Sequence, residues 1–411
     1  MRPKLITPRN LILLLLAVAV FGGLARWGSL GFPLPGQSVP STAGKLAFVT
    51  EQDGKSNIAL LDPATSTVSP LTTDGLANEE PAFTPDGSVL FFTGDRGGTR
   101  QIVATDATPG RTVVALTRTT STKQQPQARP DGRVYFVDGG KVSATTRDAT
   151  DPKAIFPSAE AMNRNPYLKA LFREGGISVM AVSSDEKMIA LTINREEGQL
   201  LVVYAAGEEE ESGHNHDHEH EHGGVVLVLG IAEKVIPQFS SDGSLVALFI
   251  GGEPLPKAVQ IPTPSEAELQ QLQADMRDIE LPPMHTSEGK NALVRFNNEM
   301  APADGGLLPA APKELVLAPD KPLVAIAGDA KDGQQGLILL AMGEAQVAPV
   351  KLFDKPCQDI SWSPDSSQIA FSDGTDIYVV PSDGSSPAKN ITEGKAGKAT
   401  HPVWSPALLK K

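Results

Sequence analysis

Cysteine is all but missing from this chain. Cys357 is the single thiol in 411 residues, so no internal disulfide forms. That usage fits a bacterial envelope protein and argues against a small secreted domain built on disulfides. Cys357 itself reads as a small apolar residue opening a strand. The linear motifs of common chemistry are missing too: there is no G-x-S-x-G elbow, no P-loop and no G-x-G-x-x-G after a strand. No EF-hand spacing marks a calcium site. Basic charge is also short, with 36 Lys and Arg against 49 Asp and Glu, for a net charge of −13. Setting aside Arg2, Lys4 and Arg9 leaves the remainder at −16. Such a body repels phosphate backbones, and no run of interleaved cations and aromatics opposes that, so nucleic acid is not an expected partner.

What the chain has in plenty is one repeated unit. The stretch 359–384 reads DISWSPDSSQIAFSDGTDIYVVPSDG: a strand ending in Trp362, the turn Ser363-Pro364-Asp365-Ser366, and two further strands. Ser at the first turn position, and Pro at the second with its φ preset, suit a tight antiparallel connection. The turn recurs at Thr84-Pro85-Asp86-Gly87 and Arg129-Pro130-Asp131-Gly132. Weaker copies are Ser183-Ser184-Asp185-Glu186, Ser240-Ser241-Asp242-Gly243 and Ala318-Pro319-Asp320-Lys321. A truncated copy, Trp404-Ser405-Pro406, stands beside the C-terminus. Successive aspartates lie 45, 54, 57, 78 and 45 residues apart. The shorter intervals match the roughly 40–45 residues of a four-stranded propeller blade, and the longer ones imply insertions.

The two ends complement each other. The last copy has an inner strand and little after it; the first begins at Lys45 without one. Joined, they make one blade from both termini and remove two open sheet edges. The expected fold is therefore all-β: a single propeller of seven four-stranded blades over residues 45–406, closed by N- and C-terminal strands. Six or eight blades also fit, because 251–312 is hard to parse.

Trp362-Ser363-Pro364-Asp365, followed by Gln368 to Phe371 and Asp376 to Val380, resembles the WD-like repeat of TolB-type propellers, as does Phe83 to Gly87. The resemblance spans about Gly44 to Pro406. The periplasmic TolB translocation protein carries a separate α/β domain ahead of its propeller, which this chain is expected to lack. Similar repeats form the non-catalytic half of prolyl-oligopeptidase-like enzymes, and no hydrolase domain is expected after the repeats here.

Residues 1–32 are basic at first and then apolar from Leu11 to Ala25. That apolar run is short of the roughly 20 residues that span a bilayer. Extension past Arg26 to Phe32, with Arg26 snorkelling, makes a full signal anchor; cleavage near Gly23-Leu24-Ala25 is the alternative. Positive charge ahead of the segment places the N-terminus in the cytoplasm and the propeller outside it, held by a single pass or free in the periplasm. No cysteine follows the run, which excludes a lipoprotein anchor. Residues 33–44, rich in Pro, Gly and Ser, read as a flexible tether.

Three insertions interrupt the repeats, near 158–176, 207–224 and 251–291. The first reads as a short helix from Asn165-Pro166 to Arg173, with Leu168, Leu171 and Phe172 on one face. The third holds a capping box at Thr263-Pro264-Ser265-Glu266 and a stripe of Leu269, Leu272, Met276 and Ile279, expected to pack on the propeller. Ala292 to Phe296 then returns as a strand. The second holds His214, His216, His218, His220 and His222, five of the chain's seven histidines, among acidic residues. Neutral imidazole is a good ligand for zinc, copper or nickel, but alternate spacing in a loop fixes no single ligand set. The expectation is a labile zinc-type site, with a solvated polar loop as the plain alternative. His285 and His401 stand alone, and the recurring aspartates are turn residues by position.

The functional reading is a membrane-anchored, extracytoplasmic and monomeric ring that binds a protein or peptide of the envelope without catalysis. A metal-handling protein working through the histidine loop is the alternative. A hydrolase-type enzyme with its site in the propeller channel is the third, since blades far apart in sequence can assemble a site.

Overall fold

The computed structural model describes residues 44–146, 152–172, 176–205, 225–262, 291–307, 312–329, 335–342 and 349–406. The predicted turns form, and their aspartates hold them. In four of them a Ser or Thr hydroxyl at the first position donates to the aspartate two residues on, at 2.6 Å for Thr84–Asp86, Ser183–Asp185 and Ser363–Asp365. The same carboxylates accept the backbone N–H two residues further along, as at Lys187, Ser244 and Ser367. The fourth residue is left-handed in five of the six complete turns, Lys321 being the exception, with φ of 68° at Gly87 and 85° at Gly132. Glycine takes that conformation without a steric penalty, whereas Glu186 and Ser366 occupy it as non-glycine residues.

Each turn joins the inner strand of a blade to the next one outward. Counting the composite blade as the first, the inner strands are Lys398–Trp404, Glu79–Phe83, Lys123–Ala128, Ile177–Val182, Lys234–Phe239, Pro312–Leu317 and Gln358–Trp362. Among the described residues there are seven sheets, all antiparallel within themselves, making seven blades. In blade 1 the C-terminal strand Lys398–Trp404 pairs with Leu46–Gln52, bringing Leu46 opposite Trp404 and Thr50 opposite Ala399. The ring closes as the two chain ends predict.

Six blades have four strands and blade 4 has five. The addition is Glu253–Gln260, from the insertion after the second strand of blade 5, which crosses back to pair with Val225–Ala232. Pro254 and Pro256 lack an N–H, and only an outermost strand tolerates that. Gly230 allows the approach: a Cβ there would meet the Pro254 Cα at 2.9 Å. Asn291–Phe296 returns to blade 5, as expected.

The insertion ahead of blade 4 forms two short helices, α1 (Ala159–Arg164) and α2 (Pro166–Leu171). Asn165 caps α2, its Oδ1 accepting the Tyr167 and Leu168 N–H groups at 3.0 and 3.1 Å. Leu168 and Leu171 are buried and Phe172 packs beside them, while the helix stops at Leu171, short of the expected Arg173. Residues 1–43, the histidine loop and the expected helix at 263–281 lie outside the described residues. Among the described residues no helix is long and apolar enough to cross a membrane.

Seven apolar clusters hold the ring, and each straddles one seam between neighbouring blades. Val49 and Ile58 of blade 1 meet Phe83 and Phe92 of blade 2. Leu337 and Leu339 of blade 6 meet Trp362 and Phe371 of blade 7. Each sheet buries both faces, so its middle strands run almost wholly apolar, as in Val89–Asp95 and Leu245–Ile250.

Candidate functional site

A closed propeller draws its inner strands around a central channel. The residue four places before each turn sits near the start of the inner strand, at one mouth of that channel. Around the ring these residues are Glu80, Gln125, Val179, Ile236, Glu314, Asp359 and His401. Five of the seven are polar. At Glu80, Gln125, Asp359 and His401 the backbone is left-handed, with φ of 52° to 56°, and the pairing register slips by a bulge beside each. A bulge leaves backbone groups without a ladder partner and re-aims the side chain.

Those side chains meet the unpaired backbone of the neighbouring blade. Glu80 Oε2 accepts the Gln125 N–H at 3.1 Å. Gln125 in turn accepts from the Met180 N–H at 2.8 Å and donates to the Ser178 carbonyl at 2.5 Å. Gln199 of blade 4 accepts the Val235 N–H at 2.9 Å. Gln238 of blade 5 donates to the Leu315 carbonyl at 2.8 Å and accepts the Leu317 N–H at 2.9 Å. Glu314 accepts the Ile360 N–H at 2.9 Å, and Asp359 the His401 N–H at 3.0 Å. An Asn78 N–H donating to the Ser56 carbonyl at 3.2 Å joins blades 1 and 2. Every seam is thus bridged by hydrogen bonds as well as by apolar packing.

The electrostatics of the mouth follow from this burial. Removal from water raises the Glu80 carboxyl above its ordinary range, against the hydrogen bonds from Gln125 and Thr93. Burial, reinforced by the nearby Asp359 charge, raises Glu314 to about 7, opposed by the Ile360 N–H. Cys357 lies close by; burial first and Glu314 second push its thiol up to about 12, so it stays protonated and unreactive at neutral pH. His401 Nε2 lies 3.6 Å from Asp359 Oδ1, the closest approach to an acid–base pair at the mouth. Glu80, Gln125, Glu314 and Asp359 are thus engaged in holding backbone.

The structure separates the residues singled out in the sequence. His401 is brought to Asp359. The turn aspartates sit at the opposite end of the inner strands. His285, His214, His216, His218, His220 and His222 lie outside the described residues. The histidine loop leaves blade 4 at Ala205 and returns at Val225, which pair directly at the end carrying the turns. Among the described residues no group of three or more His, Cys, Asp or Glu could hold a metal ion. Of the polar residues of the mouth, only His401 was singled out in the sequence, although their constant offset of four from the turn was a readable signal.

Residues 38–155 match the TolB beta propeller domain family. No curated protein matches the chain at a significant level. Among solved structures it is similar to the dihydro-heme d1 dehydrogenase NirN, at 12% identity and a TM-score of 0.52, covering 92% of this chain and 78% of that one. It is also similar to a candidate 6-phosphogluconolactonase of Bacteroides uniformis, at 12% identity and a TM-score of 0.50, covering 89% and 98%. TolB of Acinetobacter baumannii matches at 11% identity and a TM-score of 0.48, covering 93% and 70%. At these identities the likeness is one of fold alone. Residues 38–155 thus carry the TolB beta-propeller repeat, and the same turn recurs around a closed seven-bladed ring.

Proposed function

We propose that this propeller is a non-catalytic binding module of the bacterial cell envelope, anchored by residues 1–32 and taking a protein or peptide partner at the channel mouth. The observation that carries the reading is the knitting of that mouth. Glu80, Gln125, Glu314 and Asp359 hold the backbones of neighbouring blades, so the mouth is a rigid platform rather than a set of groups turned toward a reacting atom. Rigid sites bind with little ordering of their own. The acidic body favours a partner surface of basic character. Cross-linking of the full chain in native membranes, read by mass spectrometry, tests this. Partner cross-links through Lys313 and Lys398, which stand at the mouth end of their inner strands, are the expected result. Links confined to lysines of the turn face would reject the mouth as the site.

A second reading rests on five histidines within His214–His222. It makes the loop a labile zinc-type site, weakened in mild acid as protons compete for imidazole. Zinc titration calorimetry compares the intact chain with one lacking 213–224. Equal heats would remove the loop from consideration.

A further inference from the structure

Glu80, Gln125, Glu314 and Asp359 are engaged with backbone at the mouth, whereas the turn face between blades 7 and 1 carries polar side chains without partners. Trp362 and Trp404 hold the same place in consecutive blades, immediately before the turn. The Trp362 indole N–H donates to the Val316 carbonyl of the preceding blade at 3.0 Å. The Trp404 indole N–H is shielded from water and has no acceptor, in a residue only 7% exposed. A buried N–H left in that state is unfavourable, and a ligand that offers an acceptor relieves it.

Trp404 forms part of the wall of a cleft of about 390 Å³ on this face, within the roughly 300–1,000 Å³ of ligand sites. Pro63, Val379 and Pro381 give it apolar walls. Gln368, Ser386 and Lys389 stand in the same lining, and among the described residues their side chains make no hydrogen bond or ion pair. Lys389 is the one ionisable group of that lining. Glu393, which feels its charge, is bonded instead to Lys395 at 2.6 Å. On a chain of net charge −13 the cleft is a basic and largely apolar spot with uncommitted donors.

We propose that this cleft captures the carboxyl end of an apolar peptide, its carboxylate held by Lys389 and its last amide carbonyl by the Trp404 indole N–H. The donors select the ligand. An ammonium without an ion pair calls for a carboxylate rather than a neutral or basic end. An indole N–H without an acceptor calls for a carbonyl. The Gln368 amide carries both a donor and an acceptor, which match a peptide bond, whereas a simple aliphatic acid would leave its acceptor idle. The proline walls bring no N–H of their own to compete for the ligand's carbonyls. Seating turns the indole edge toward the ligand, and the free chain loses no hydrogen bond in that turn because Nε1 makes none. The site lies on the face opposite the knitted mouth and stands independently of a partner there.

Indole ¹H–¹⁵N spectra of the full chain test this, with Trp404→Phe and Trp362→Phe assigning the signals. The probe is an N-acetylated tripeptide of valine, alanine and leucine with a free carboxyl group. Its addition should move the Trp404 signal saturably and leave that of Trp362 in place. Amidating the peptide's carboxyl end should weaken binding by about tenfold or more, the worth of one hydrogen bond to a charged group. Lys389→Ala, at an exposed position, should do the same with the urea midpoint unchanged. A Trp404 signal indifferent to the peptide overturns the proposal, as do equal affinities for the acid and the amide. Equal affinity for valerate assigns the cleft to a small acid, and a signal that varies with protein concentration alone assigns it to a second copy; either result overturns the proposal.

Discussion

Lys45 and Ser405, 360 residues apart, are joined by two hydrogen bonds. The Ser405 N–H donates to the Lys45 carbonyl at 2.9 Å, and the Lys45 N–H donates to the Ser405 hydroxyl at 3.3 Å. The pair extends the ladder in which Leu46 faces Trp404. Blade 1 takes its inner strand from the C-terminal end of the chain, so the ring depends on this seam.

Trp404 is the largest apolar side chain that the C-terminal strand contributes to it. Trp404→Ala is expected to lower stability by about 3–5 kcal/mol, read from urea unfolding followed by circular dichroism. Removing 398–406 should have a different signature, because it bares the edge of Leu46–Gln52: oligomers by size exclusion rather than a destabilised monomer.

Glu314 makes stability depend on pH near neutrality. Its carboxyl sits at about 7 in the folded chain against 4.5 in the unfolded one, because burial disfavours the charge. Between those values the folded chain keeps a proton that the unfolded chain has lost. The contribution is therefore whole below about 4.5 and disappears as pH rises through about 7. It amounts to at most about 3 kcal/mol, a ceiling because the residue keeps part of its surface in solvent. Glu314→Gln should flatten the urea midpoint across this window.

The turn aspartates work in the other direction and at lower pH. The hydroxyl of Ser240 and the Ser244 N–H hold the Asp242 carboxyl down at about 2, and Asp185 and Asp365 are lowered by similar bonds. A depressed carboxyl stabilises above its unfolded value near 4 and loses that contribution as pH falls toward 2. Asp365→Ala should lower stability by about 1–2 kcal/mol for the hydrogen bonds lost. Asp320 has Ala318 in place of the hydroxyl residue, and Asp320→Ala is expected to change stability by less than about 0.5 kcal/mol. Equal effects at the two positions would contradict the account of the turn.

Lys123 is fully buried, and its ammonium lies 2.9 Å from Asp138 Oδ1 and 2.7 Å from the Ser121 carbonyl, which it bonds. Asp138→Ala strands that charge and should destabilise by about 3–5 kcal/mol in urea unfolding. Lys123→Met together with Asp138→Leu should recover most of the loss, since an apolar pair of similar volume leaves no charge unpaired.

The repeat was legible because turn chemistry is local. A hydroxyl or proline, an aspartate two residues later and a β-rich run after it are neighbours in sequence, so six complete copies and the complementary ends could be counted directly. Glu253–Gln260 was not legible as a strand of blade 4. Its two prolines argue against a strand unless the outermost place is already known, and its partner belongs to the preceding blade. The α1 helix escaped for a related reason: its six residues hold only one turn and a half, too short for periodicity to register.

From sequence alone came an expected seven blades, with six or eight left open, their closure through the two termini and the role of the aspartates as turn residues, all of which rest on contacts within a few positions or on the matching of two incomplete ends. Only the tertiary structure decided that Glu80, Gln125, Glu314 and Asp359 knit neighbouring blades, that Glu314 lies near Cys357, and that one tryptophan of a repeated pair finds a carbonyl while the other does not. Those outcomes depend on which backbone groups are left unpaired where strands 40 to 80 residues apart meet, and a side chain's own sequence neighbourhood holds no record of them.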